Sequence, residues 1–228
     1  MEQMQNDKKY EIVSLGINCL PRTVLTRLGL KPRKAQGELS CPFDLVMHKL
    51  DRITYYLSNN FEDYFDDLYF KLGKKHIFDF RQKGTWRKTD GTQFRHDKDC
   101  KAGDKEKLIA RVKARIENFN NIMKNERPVL FVLNIYTDHG DVLALYNELK
   151  KLRQDRFFKL AVFDFEGHLN FDAKYNDDIY VLRIPKPIEN YKDDWNATVF
   201  LKTKLAKYFE SCIGDFISNI IKKDFGNF

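Results

Sequence analysis

The chain has 228 residues, 43% of them hydrophobic and 14% aromatic, which is enough apolar surface for one substantial core and excludes a disordered polymer. Forty basic residues against 33 acidic ones leave a net charge of +7, but no basic stripe with regular aromatic interleaving appears, which argues against a nucleic-acid binder. No apolar run approaches the roughly 20 residues needed to span a bilayer, which argues against a membrane-spanning chain.

Residues 1–9 are polar and carry no apolar leader core, so they read as a disordered start to a cytoplasmic protein. Residues 10–15 read as a buried strand. Residues 20–28 read as a helix, with Pro21 in its first turn, Gly29 at its stop, and Leu20, Val24, Leu25 and Leu28 as its apolar stripe. Residues 31–39 read as a polar, basic loop. Cys41-Pro42-Phe43-Asp44 leads into a second helix, about 46–57, ended by Asn59-Asn60.

Residues 61–104 form an irregular, aromatic-rich insertion. Its clear signal is the hairpin turn Asp90-Gly91, which pairs Thr89 with Thr92 and sets Thr85 opposite His96. Residues 105–124 read as an amphipathic helix with Leu108, Val112, Ile116, Phe119 and Met123 on one face. Strands at 129–133, 160–163 and 179–184 then alternate with helices at 141–152 and 197–221. That rhythm predicts one α/β domain over 10–228: a three-layer αβα sandwich on a mostly parallel sheet, Rossmann-like, with the insertion after the second helix.

Sites on such sheets form at the carboxyl ends of the strands. Gly16, Asn18 and Cys19 follow the first strand. Asn134, Asp138 and His139 follow the strand at 129. Asp164, Glu166 and His168 follow the strand at 160, and Arg183 and Lys186 lie at the end of the strand at 179. Cys19 sits at a strand–turn–helix junction, where backbone N–H groups and the helix dipole favour a thiolate nucleophile and an oxyanion. The alternative for Cys19 is an inert thiol buried under the helix.

A nucleophilic cysteine needs a base, and the chain has five histidines. His48, in a predicted helix, and His76, in a Lys-rich loop, read as surface residues. His139 and His168 lie on the strand-end edge. His96 lies in Phe94-Arg95-His96-Asp97, where Asp97 is placed to support the imidazole. His96 and Cys100 are spaced like metal ligands on a helical turn, but no second pair of zinc-like spacing exists, so no metal is expected. Neither GxxxxGK[ST] nor GxGxxG occurs, so no nucleotide cofactor is expected. Asn196-Ala197-Thr198 matches a glycosylation acceptor, which has no meaning without a secretory signal. Cys19, Cys41, Cys100 and Cys212 include no CxxC pair and read as free thiols.

Four segments in order resemble the DUF1796 family, described as papain-like cysteine peptidases. They are Val13-Ser14-Leu15-Gly16-Ile17-Asn18-Cys19 with the helix ending Leu28-Gly29-Leu30, then Pro42-Phe43-Asp44, then Phe94-Arg95-His96-Asp97, then the basic helix 111–119 leading into Val129-Leu130-Phe131-Val132. Leu45 stands where the family usually continues with Trp. The resemblance implies a Cys–His pair, with Cys19 as nucleophile and His96 as general base. The strand–glycine–nucleophile start also looks like the SGNH-type esterase architecture, whose late Asp-x-x-His is replaced here by Asp193-Asp194-Trp195-Asn196.

The leading expectation is therefore a thiol-dependent hydrolase or acyltransferase. Cys19, His96 and Asp97 would be catalytic, and Gly16, Asn18, Asn134, His139 and His168 would line the oxyanion and substrate site. Its substrate would be a small molecule, peptide or glycan, with no cofactor. The alternative is a non-catalytic module that binds a glycan or nucleotide-like ligand on the strand-end edge through Arg22, Arg33 and Arg183.

Overall fold

The computed structural model describes residues 9–33, 39–73, 84–135, 141–165, 177–184 and 204–226. Its elements are β1 (Glu11–Ser14), α1 (Leu20–Arg27), α2 (Leu50–Ser58), β2 (Tyr69–Leu72), β3 (Gly84–Arg87) and α3 (Lys105–Lys124). They continue with β4 (Val129–Ile135), α4 (Val142–Arg153), β5 (Phe158–Asp164), β6 (Ile179–Arg183) and α5 (Lys204–Ile220), which runs into a π-helical turn, Ile221–Phe225. The fold is mixed α/β. Four parallel strands run in the order β1-β4-β5-β6, and β2 and β3 form a separate antiparallel pair.

The two-residue period of the strands divides the core in two. Val13, Phe131, Leu133, Leu160 and Val162 face one way, against Ile53 and Leu57 of α2, Val112 and Phe119 of α3, and Leu145 and Leu149 of α4. Ile12, Leu130, Val132, Ala161 and Phe163 face the other way, against Val24 and Leu25 of α1 and Phe209, Ile213 and Ile217 of α5. Both central strands, β4 and β5, are buried along their whole length. That is why they read as apolar runs rather than as alternating ones.

β1 lies at one end of the strand order, and Lys31 covers it. Its side chain is buried, and its Nζ donates to the Ile12 carbonyl at 2.6 Å. A capped carbonyl blunts an otherwise open sheet edge. Lys31 therefore turns inward instead of belonging to the polar loop expected there. Gly29, with φ +73°, ends α1 as expected, and the N–H groups of Leu30 and Lys31 both return to the Leu25 carbonyl.

Two local expectations fail. The second helix starts at Leu50, not near residue 46, because Met47 is bridged to Gln93 and held extended. The Asp90-Gly91 turn forms, with Gly91 at φ +98°, but Arg87 pairs with Gln93, one residue away from the expected register. The Lys88 N–H bonds to the Thr92 carbonyl and the Asp90 side chain accepts from the Thr92 N–H, which makes a wider loop than the two-residue turn. His96 consequently sits in a turn beyond the short pairing and not opposite Thr85. The last helix was expected from residue 197; residues 197–203 lie outside the described residues.

One buried arginine ties the end of α3 to the entries of β4 and β5. The Arg153 guanidinium donates to the carbonyls of Ile122, Met123, Asn125, Arg127 and Phe157, at 2.8 to 3.3 Å. These carbonyls close the last turn of α3 and the entries to β4 and β5, where helix ends leave acceptors without intrahelical donors. Arg153→Met keeps the apolar stem but strands those carbonyls. It should cost about 3 to 5 kcal/mol of unfolding free energy, read from urea curves with an unchanged slope. A loss under about 1 kcal/mol would mean that water replaces the guanidinium there.

Candidate active site

Past β1, the Leu15 N–H still bonds to the Val132 carbonyl at 2.8 Å, and then the chain leaves the sheet at Gly16. A Cβ on Gly16 would lie 2.4 Å from the Asn18 carbonyl oxygen, 2.7 Å from Asn134 Oδ1 and 2.7 Å from the Pro21 ring. Two of these neighbours are parts of the backbone or a fixed ring, so only glycine fits. Asn18 Oδ1 accepts from the Leu20 N–H at 2.9 Å and from Asn134 Nδ2 at 3.3 Å. Asn134 is fully buried near the end of β4, and its Oδ1 has no hydrogen-bond partner among the described residues. Gly16, Asn18 and Asn134 thus meet under the first turn of α1.

Cys19 is the N-cap residue of that helix, half-buried, and its carbonyl accepts from the Thr23 N–H at 3.0 Å. Burial pushes the thiol up from its ordinary range, while hydrogen bonds from its own backbone and from the Thr23 side chain, and the Arg95 charge, pull it down. Burial wins. The expected stabilised thiolate is therefore not the resting form: desolvation of the sulfur outweighs the helix start.

The segment carrying His96 is fixed by a buried ion pair. Asp97 is 3% exposed and accepts from Arg115 at 2.7 and 3.1 Å and from Arg111 at 3.0 Å. Arg111 also grips Asp99 with two bonds of 2.7 Å, and together with Lys107 holds that carboxyl well below its usual range. Both Asp97 oxygens are thus engaged by α3, and Asp97 acts on His96 only through its charge. His96 itself is exposed. Partial burial and Lys98 push its imidazole below the ordinary histidine value, against the opposing pull of Asp97. Cys19 is hydrogen-bonded to Thr23, and among the described residues no hydrogen bond joins it to His96.

His139 and His168 lie outside the described residues, as do His76, Asp138, Glu166, Lys186 and residues 193–196. Of the arginines on the strand-end edge, Arg22 is buried and donates to the Pro32 carbonyl at 3.0 Å, and Arg183 lies 4.0 Å from the buried Asp164 carboxylate. No disulfide joins the four cysteines, and Cys41 and Cys100 are buried.

His48 overturns its surface assignment. It precedes α2, is 5% exposed, and lies among the rings of Phe43, Tyr56 and Tyr64. Its Nε2 is 2.7 Å from the Tyr64 hydroxyl, and its backbone N–H donates to the Ile17 carbonyl at 3.1 Å, in the Cys19 loop. Beside it, Lys88 Nζ stands 4.9 Å from the Tyr56 ring centre, and the Tyr56 hydroxyl donates to Asp90. The sequence clue was the aromatic cluster that follows His48, made of Tyr55, Tyr56, Phe61 and Tyr64. Arg115 had a clearer signal: a cation on the buried stripe of α3, between Val112 and Phe119, which demands an anion. Pro42-Phe43-Asp44 closes a turn, with Asp44 Oδ2 accepting from the Cys41 N–H at 2.8 Å and Phe43 fully buried.

The model of the DUF1796 family, described as "Putative papain-like cysteine peptidase", matches residues 10–165. The chain belongs to this family. The match takes in β1 through β5, and with them Cys19, His48, His96, Asp97 and Asn134. Comparison with curated proteins found no match, and neither did comparison with solved structures.

Burial lowers the His48 imidazole to about 3. The unfolded chain takes up that proton below about pH 6.5 and the folded one refuses it until far lower, so folding stability falls with acid. Between pH 6.5 and 4.5 the slope from His48 should reach about 1.4 kcal/mol per pH unit. His96 adds in the same direction. Urea midpoints measured across this window should flatten in His48→Gln relative to the unmodified chain.

Proposed function

We propose that this protein is a thiol-dependent acyl hydrolase in which Cys19 is the nucleophile and His96 the general base. The observation that carries the proposal is the position of Cys19 in a family-matched strand–turn–helix, above the Gly16, Asn18 and Asn134 cluster. The raised thiol and the lowered imidazole make both groups neutral near pH 7. A neutral imidazole is the form that accepts a proton, so deprotonation accompanies attack instead of preceding it as a stored ion pair.

The cycle balances as follows. Cys19 Sγ bonds to the acyl carbon as its proton passes to His96. The C–N or C–O bond then breaks, and His96 returns the proton to the leaving amine or alcohol. Water, deprotonated by His96, hydrolyses the thioester and restores the thiol. The developing oxyanion is met by the Cys19 N–H and the side-chain NH2 of Asn18, because the Leu20 N–H is held by Asn18 Oδ1 and Pro21 has none. Asp97 offsets the cations around His96 as the imidazolium forms. A second acyl acceptor in place of water would make the same site an acyltransferase. The binding-module alternative is the weaker one, because Arg22 turns inward and Arg183 sits near Asp164.

With p-nitrophenyl acetate as the probe, Cys19→Ala should abolish release of nitrophenolate above background while the circular dichroism spectrum stays unchanged. Equal release by the variant would sink the assignment. The Cys19 alkylation rate with iodoacetamide should show two rises with pH, one through the His96 titration and one as the thiol itself ionises. His96→Ala should remove only the lower rise. Identical profiles would exclude His96 as the base.

A further inference from the structure

Three segments run side by side around Cys19. The His48 N–H donates to the Ile17 carbonyl, and Met47 and Gln93 exchange N–H to carbonyl bonds of 2.9 and 3.0 Å. Arg95 Nε then donates to Gln93 Oε1 at 3.0 Å. This ladder holds the base of the Arg95 side chain beside the Cys19 loop. Arg95 is exposed, and among the described residues no carboxylate pairs with it. Its charge reaches the Cys19 sulfur. The neighbouring Asp97 is taken up by Arg111 and Arg115, and Lys98 adds a further exposed cation. The charge felt at the thiol is therefore the cation of Arg95.

Building on the Cys19 reading above, we propose that Arg95 is a specificity-determining residue that receives a carboxylate of the substrate close to the scissile carbonyl. The substrate class is an acidic peptide. A guanidinium suits this task because its planar fork matches a carboxylate with two hydrogen bonds. With Nε held by Gln93, the terminal nitrogens have no hydrogen-bond partner among the described residues.

The test uses two alkylating reagents of nearly equal size, iodoacetate and iodoacetamide, which differ by one negative charge. The rate ratio at Cys19, read by peptide mass spectrometry on the whole folded chain at pH 8, is divided by the ratio for free cysteine. A unit charge about 7 Å away across water is worth about threefold in such a ratio. The unmodified protein should favour iodoacetate by about that factor. Arg95→Gln should return the ratio to about one, Arg95→Glu should invert it, and Arg95→Lys should keep it. Salt raised from about 0.02 to about 0.5 M should collapse the preference.

A ratio equal to that of free cysteine, or one unmoved in Arg95→Gln, overturns the role of Arg95 and leaves Cys19 as nucleophile. If neither reagent labels Cys19 in the folded protein, the nucleophile reading itself falls, and the Arg95 inference falls with it.

Discussion

The buried ion pair between Asp97 and the arginines of α3 is the constraint on which the candidate site depends. A carboxylate taken out of water costs several kcal/mol unless its lone pairs are filled, and Arg115 and Arg111 fill them from one helix face, four residues apart. The pairing fixes the position of the segment 93–97 against the sheet's covering helices. Gln93 then holds Met47, and His48 holds Ile17, so the restraint passes by backbone hydrogen bonds to the loop that carries Cys19.

A second constraint acts on the nucleophile. The start of α1 offers donors to a thiolate, but the same packing that builds the helix removes water from the sulfur. Desolvation is the larger effect, as it is for His48 in its aromatic surroundings. The two histidines differ in consequence. His48 is sealed among Phe43, Tyr56 and Tyr64 and serves the packing there, while His96 is reachable from solvent and still neutral near pH 7. Reachability and neutrality together are what a general base needs.

Much of the framework was legible in the sequence. The apolar runs at 129 and 160, the stripe of α3 and the Pro21 and Gly29 signals each follow from local chemistry, and each element appears where it was expected. Asp90-Gly91 announced its turn but not the register, because one residue of slip changes nothing in the local preference and everything in the pairing. The second helix was read too early because residues 46–49 suit a helix by themselves, and only the bridge to Gln93 pulls them straight. Lys31 and His48 were hidden for a similar reason: a polar residue reads as exposed until its buried partner is known.

The sequence by itself determined the alternation of strands and helices, the glycine turn before Cys19 and the family to which residues 10–165 belong. These are set by periodicity and by residues whose backbone preferences act within a few positions. The tertiary structure alone decided that Asn18 and Asn134 touch, that Asp97 faces α3 rather than His96, and that Gln93 holds Arg95 beside the Cys19 loop with no carboxylate on it among the described residues. Those contacts join residues far apart in the chain, and their energies come from burial and charge pairing, which no local pattern encodes.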